Sequence, residues 1–208
     1  MSSWLLLPFA KCGINALGFS TQDEEIEYMT SGSTSDGEAL LSVRLEIVPF
    51  TRNDVTQQHV AWLNDPEVVQ FSNQRFHRHT ITSCEAYVAG FASGSNGYWS
   101  VRLRGGRRIG SLTHYFSSPH NTADMGILIG DKSVWGQGLG LEAWNTLLHW
   151  LLDERGVRKV TAGTLDCNLA MRSIALRSGM HHEATRKPQE IVDDTPHDLL
   201  YFARFSDA

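Results

Sequence analysis

Apolar and polar residues begin to alternate at period two from Val43: Val43, Leu45 and Ile47 share one face, Arg44 and Glu46 the other, and Pro49 ends the run. The pattern predicts a half-buried strand. Asn53-Asp54 offers a cap to a short helix carrying Val55, His59, Trp62 and Leu63, stopped near Asp65-Pro66. Thr82-Ser83-Cys84-Glu85 has capping-box form and predicts a second helix through Tyr87, Val88 and Phe91. Two strand-like runs, 98–104 and 107–116, flank Gly105-Gly106, a pair suited to the positive φ of a two-residue hairpin turn. A third strand over 123–130 leads through Asp131-Lys132-Ser133 to a helix with Leu139, Ala143, Leu147, Trp150 and Leu151 at helical spacing, stopped at Gly156. Residues 159–165 read as a strand and 169–177 as a helix closed by Gly179. Residues 180–187 and 198–205 form a last antiparallel pair around Asp193-Asp194-Thr195-Pro196. No repeat is present, and the order predicts one α/β domain.

The first forty residues differ in texture. The apolar run Trp4 to Ala10 is seven residues long, far short of the roughly 20 needed to span a bilayer. It also lacks the basic start and cleavage site of a secretory signal. An acidic, Ser/Gly-rich stretch from Thr21 to Glu38 follows and contains Met29, an alternative start. Residues 1–42 are therefore expected to be a poorly ordered extension and 43–208 the folded domain.

At 208 residues, 41% hydrophobic and 20% charged, the chain can bury a substantial core. The net charge of -5 resides in the extension, which has one base, Lys11, against six acids; the remainder carries 17 of each sign. No basic face is implied, so neither a nucleic-acid nor a membrane partner is expected. Three scattered cysteines, Cys12, Cys84 and Cys167, form no Cys-x-x-Cys pair and point to a reducing cytoplasm. His77-x-His79 and His181-His182 lack a third ligand at a plausible spacing, so no metal is expected.

The most specific feature is Gly136, Gly138 and Gly140 between a strand and a helix. Glycines there let a ligand approach the backbone, and the first N–H groups of the helix carry a partial positive charge suited to pyrophosphate. No Gly-Lys-Ser/Thr follows, which excludes a Walker loop. A dinucleotide turn stays open from the spacing, although Leu141 stands where a third glycine belongs. A plain structural turn is the bland alternative.

Val134-Trp135-Gly136-Gln137-Gly138-Leu139-Gly140-Leu141-Glu142-Ala143 resembles the acetyl-CoA motif of GNAT N-acetyltransferases, and Asn168 to Met180 resembles that family's Asn-x-x-Ser/Ala…Gly-Phe segment. The segment 45–70, with Trp62-Leu63-Asn64-Asp65-Pro66, is similar to the branch that acetylates N termini of ribosomal proteins. The resemblance spans about 43–205. It implies an α/β fold with a mixed, mostly antiparallel central sheet flanked by helices, in which two strands splay to form an acetyl-CoA cleft. It implies acetyl transfer to a primary amine, with a homodimer left open. The backbone of Ile127, Leu128 and Ile129 is expected to pair with pantetheine, and the N–H of Leu128 to hold the oxyanion. The N–H groups of Gln137, Gly138, Leu139 and Gly140 are expected to meet the pyrophosphate, with Gly136 supplying the turn and Trp135 also among the cofactor-binding residues, and Asn168 to bind the pantetheine arm or merely to cap its helix. Asp124 is the favoured proton acceptor, with His114 and Tyr115 as candidates beside it and Arg75 as an anchor for an acceptor carboxylate or phosphate. Ala175 replaces the tyrosine that many relatives use as a general acid, which leaves a non-catalytic acyl-CoA-binding module as a rival. A nicotinamide-dependent oxidoreductase using the same glycines is another.

Overall fold

A computed structural model describes residues 39–92 and 94–206. The segments around Trp4, Cys12 and Met29 and the acidic run to Glu38 lie outside the described residues. Eight strands form one sheet: β1 (Leu40–Leu41), β2 (Leu45–Pro49), β3 (Gly97–Leu103), β4 (Arg108–Ser117), β5 (Thr122–Ile129), β6 (Lys159–Leu165), β7 (His181–Val192) and β8 (Thr195–Phe205). Their spatial order is β1-β2-β3-β4-β5-β6-β8-β7. Every neighbouring pair is antiparallel except β5 and β6.

Four α-helices cover the sheet: α1 (Gln57–Asn64), α2 (Ile81–Ala89), α3 (Leu139–His149) and α4 (Leu169–Arg177). Side chains of successive strand residues point to opposite faces. Trp99, Leu112, Met125, Ile127 and Ile129 therefore meet α3 and α4 in the main core, whereas Tyr98 packs under α1 and α2. Helix α3 is buried almost all round, through Trp144, Leu147 and Leu148, and runs on through a π-helical turn, Trp150–Glu154, to Gly156 at φ 62°. Trp62 of α1 lies on Gly130, where an added Cβ would stand 2.2 Å from the indole; this contact fixes α1 over the end of β5.

Three local expectations are corrected. Leu40 and Leu41 pair with Ile47 and Glu46, so these two residues, expected within the extension, belong to the sheet. The capping box of α2 is Thr80 with Ser83, two residues before the expected one, and Glu85 instead pairs with Arg52. The β3–β4 tip is a three-residue loop, Arg104 to Gly106, closed by Leu103 N–H to Arg107 C=O, and a bulge at Val101/Arg102 takes up the extra residue.

Candidate functional site

Strand β5 pairs with β6 only at Thr122–Lys159, Ala123–Val160 and Asp124–Thr161. Beyond Asp124 the two strands part, although β5 continues to Ile129 and β6 to Leu165. The free edge of β5 can be read from ladder alternation. Gly130 N–H bonds to Ile109 C=O of β4, whereas the Ala123 carbonyl meets Thr161 Oγ1 and the Ile129 carbonyl meets Trp135 Nε1. Odd-numbered residues of β5 thus turn their backbone to the cleft, and even-numbered ones turn it to β4. The cleft N–H groups are those of Met125, Ile127 and Ile129. Leu128 faces Ser111 in the β4 ladder, and its side chain packs with Trp62, Val68 and Val69. The expectation that Leu128 offers its N–H to the cleft is corrected on this ground; the neighbouring N–H groups that open there are those of Ile127 and Ile129.

At the mouth of the cleft, Asp131 caps a short turn by accepting from Ser133 N–H, and the glycine segment follows. Gly136 and Gly138 both have φ 75°, and Gly138 is the left-handed N-cap of α3 with no side chain to offer. The first intrahelical bond on this turn is Glu142 N–H to Gly138 C=O. The N–H groups of Leu139, Gly140 and Leu141 accordingly lack intrahelical acceptors, and residues 136–138 are exposed. Gly140 lies inside the helix without a positive φ, so only two of the three glycines are demanded by backbone conformation. The Gln137 carbonyl accepts from Arg44 Nη1 at 2.9 Å, and the Gln137 side chain folds back to Ser133 C=O. Trp135 reaches the site, but its indole occupies the Ile129 carbonyl at 2.9 Å.

Asn168 is wholly buried. Its Oδ1 caps α4 by accepting from Met171 N–H, and its Nδ2 donates to Thr164 Oγ1 at 3.0 Å. The capping role is the one the geometry displays. Asp124 stands at the last paired position before the strands part. Its Oδ2 accepts from Thr161 Oγ1 at 2.7 Å, and Tyr115 is its cross-strand neighbour. The Tyr115 and Tyr87 hydroxyls lie 2.6 Å apart, and burial raises the Tyr115 phenol above its ordinary value.

One expected acceptor-binding residue is corrected, and a second is found tied through one guanidinium nitrogen to β7. His114 points into the core on the α3 side: Trp99 Nε1 donates to its Nδ1 at 3.1 Å, its Nε2 lies 3.1 Å from Ser95 C=O, and Trp150 flanks its ring. Arg75 is engaged across the site, donating to Ile191 C=O at 3.2 Å with Glu190 at 3.8 Å, and thus ties the turn Asn73–Phe76 to β7.

On the α1/α2 face a cavity of about 300 Å³ opens over Gly126, Ile127 and Leu128. Sequence reasoning found its wall segment, 71–80, but chose Arg75 from it; the lining residues there are Ser72, Gln74, His77, Arg78 and His79. It missed His59, Tyr87, Tyr98 and Gly126, whose types also suit an ordinary core. His59 is buried, with Nε2 3.3 Å from the Tyr98 hydroxyl, and burial together with the Arg108 charge lowers its pKa to about 3. Gly126 keeps the floor open, because a Cβ there would stand 2.8 Å from Thr113 Oγ1. A cleft on one side of β5 and a cavity on the other meet at the Ile127 backbone, an arrangement that lets two substrates approach one point from opposite faces.

Asp166, Cys167 and His197 also lie together at the end of β6, with His197 Nδ1 2.7 Å from Asp166 Oδ1. Among the described residues, no helix is long and apolar enough to cross a membrane.

Residues 44–181 match the family model described as acetyltransferase (GNAT) domain. An uncharacterized protein of Methanocaldococcus jannaschii is 27% identical over 150 residues, which make up 71% of this chain and 30% of that protein. The chain thus spans less than a third of the curated relative it matches. Among solved structures, RimL, a ribosomal-protein alpha-N-acetyltransferase in complex with coenzyme A, superposes with a TM-score of 0.73 at 19% identity, covering 82% of this chain and 99% of its own. A spermidine N-acetyltransferase SpeG chimera from Vibrio cholerae and hSSAT gives 0.68 at 15% identity, covering 77% and 95%. At these identities the likeness is one of fold.

Proposed function

The chain belongs to the GNAT acetyltransferase family, and from that premise we propose that it moves an acetyl group from acetyl-CoA to a primary amine by direct attack. The observation that carries the reading is the parting of β5 from β6 beside the exposed, uncapped N-terminus of α3. Pyrophosphate binds the N–H groups from Gln137 to Leu141, where the helix dipole and the open glycine turn favour an anion. Pantetheine runs along the free edge of β5, exchanging bonds with Ile127; the Ile129 carbonyl is withheld by Trp135. The Ile127 N–H holds the thioester oxygen and stabilises the oxyanion as the tetrahedral intermediate forms, an interaction worth a few kcal/mol in comparable sites.

The amine enters through the cavity over Gly126 and attacks from the opposite face. It must be neutral to do so, and Asp124 receives its proton at the point where the strands part, directly or through water. Ala175 is fully buried, so no acid stands at that position of α4, and the departing thiolate takes its proton from solvent. The unpaired Cys84 and Cys167 are in keeping with a cytoplasmic enzyme.

Thermal-shift titration and thiol release test this reading together. Stabilisation by acetyl-CoA and not by NAD, with thiol released when an amine is added, is the expected result. Stabilisation without thiol release across an amine panel would instead favour the non-catalytic module that Ala175 allows, and stabilisation by NAD alone would overturn the family assignment of the cleft.

A further inference from the structure

The acceptor cavity has a one-sided charge. Its titratable lining residues are His59, His77, Arg78, His79, Cys84, Tyr87 and Tyr98; no aspartate or glutamate lines it among the described residues. A shallower cavity beside it shares Arg78 and His79 and is likewise free of carboxylates there, so these two residues sit at the junction of both spaces. Arg78 has no ion-pair partner within 4 Å among the described residues. A second ammonium on the acceptor would meet a guanidinium at this junction with no anion to offset it. An oxyanion would find a forked donor.

A second observation concerns hydrogen bonding. The Nε2 atom of His79 is buried with no hydrogen-bond partner among the described residues. A neutral imidazole nitrogen donates or accepts according to its tautomer, so Nε2 is a polar atom with one bond still to make. Leaving such a group unsatisfied is costly, so the arrangement favours a ligand that brings to it a hydroxyl, which can donate or accept. The rest of the wall combines the hydroxyl-bearing Ser72, Ser83, Ser111 and Thr113 with Tyr87, Tyr98 and the apolar Leu63, Ile127 and Leu128. Those two rings are themselves held edge to face at 5.4 Å.

Building on the acetyl-transfer reading above, we infer that the acceptor is a hydroxylated primary amine bearing an oxyanion, the oxyanion bound by Arg78 and a hydroxyl bonded to His79 Nε2. Phosphorylated aminosugars and hydroxylated amino acids share this chemistry, as phosphate and carboxylate respectively. Polyamines lack it. Arg78 and His79 act here in specificity, not in the acetyl-transfer step.

The test uses the full chain with coenzyme A present, and compares glucosamine 6-phosphate, glucosamine, serine and spermidine by thermal shift and, with acetyl-CoA, by thiol release. Glucosamine 6-phosphate is expected to exceed glucosamine at least tenfold in kcat/KM or in apparent affinity, with spermidine the weakest. Serine above glucosamine would identify carboxylate as the source. Arg78→Gln should bring the phosphorylated and neutral sugars to within about threefold of each other. His79→Ala should weaken both sugars together while coenzyme A binding stays unchanged. Spermidine as the best ligand, equal response to the phosphorylated and neutral sugars, or no response to either anionic amine would overturn the inference. Failure to bind coenzyme A at all would instead sink the reading on which it rests.

Discussion

Arg44 and Glu142, 98 residues apart, close the back of the glycine turn: the guanidinium Nε lies 2.6 Å from Glu142 Oε2, and Nη1 continues to the Gln137 carbonyl at 2.9 Å. The Arg44 N–H and the Ser42 hydroxyl also reach Glu142 Oε1, both at 2.7 Å. The Glu142 side chain is 2% exposed and that of Arg44 46%. The carboxylate is therefore the costlier group to strand. Removing one partner of a buried pair costs about 3–5 kcal/mol, and the exposure of Arg44 reduces this to about 2–3 kcal/mol for Glu142→Ala. Such a loss corresponds to a melting point lower by roughly 4–12 °C in a domain of this size. Arg44→Ala is expected to weaken coenzyme A binding severalfold by loosening Gln137, and a titration showing wild-type affinity would remove this pair from cofactor binding.

Gly138 supports a sharper contrast. An added Cβ would lie 3.6 Å from Arg44 Nη2, so space is available, but φ 75° is strained for any other residue. Gly138→Ala should carry only that strain, about 1–2 kcal/mol, and weaken coenzyme A binding by roughly tenfold. Gly138→Glu adds a carboxylate at the proposed anion site and is expected to abolish binding in the same titration. Similar affinities for the two variants would mean that the pyrophosphate lies elsewhere.

How much of this was legible depended on whether the signal was local. Strand β6 and helix α4 fall where the sequence places them because Asn168 and Gly179 mark both ends of α4 within a few residues. The glycine turn was legible for the same reason. The parity of β5 was not: whether Ile127 or Leu128 faces the cleft depends on register with β4, and both residues are apolar and buried. His114 and Tyr115 were indistinguishable because β4 is covered on both faces, so alternation of polarity does not separate its sides. Nothing local to Arg75 signals its partners on β7, which lie more than a hundred residues away. The α2 cap slipped by two because Thr80 and Thr82 each have a suitable residue three positions on.

Asp124→Asn tests the proton acceptor. The substitution keeps a bond to Thr161 available but removes the basic oxygen, so coenzyme A affinity and melting temperature should hardly change. The loss in kcat/KM, on the order of 100-fold, should be largest at low pH and shrink as pH rises, because more of the amine then arrives already neutral. A pH–rate profile parallel to that of the wild type would assign the proton to another group.

His59 sets the acid limb of stability. Burial, with help from the Arg108 charge, lowers its folded pKa to about 3 from an unfolded value near 6.5. Between these values the unfolded chain binds the proton and the folded chain does not, so stability falls as pH drops below about 6.5. The full difference approaches ~5 kcal/mol at pH 3, of which roughly half should appear by pH 4.8. His79, also lowered by burial, contributes with the same sign. Asp54 is driven up by burial but held below the ordinary carboxylate value by bonds from Thr51 and Arg102. His59→Gln retains a hydrogen-bonding end for Tyr98 and cannot become charged. Denaturant midpoints measured from pH 7.5 to 4.8 should therefore fall less steeply for the variant than for the wild type. Equal slopes would show that His59 accepts a proton in the folded protein, and that the wall beneath Tyr98 is wetter than its burial implies.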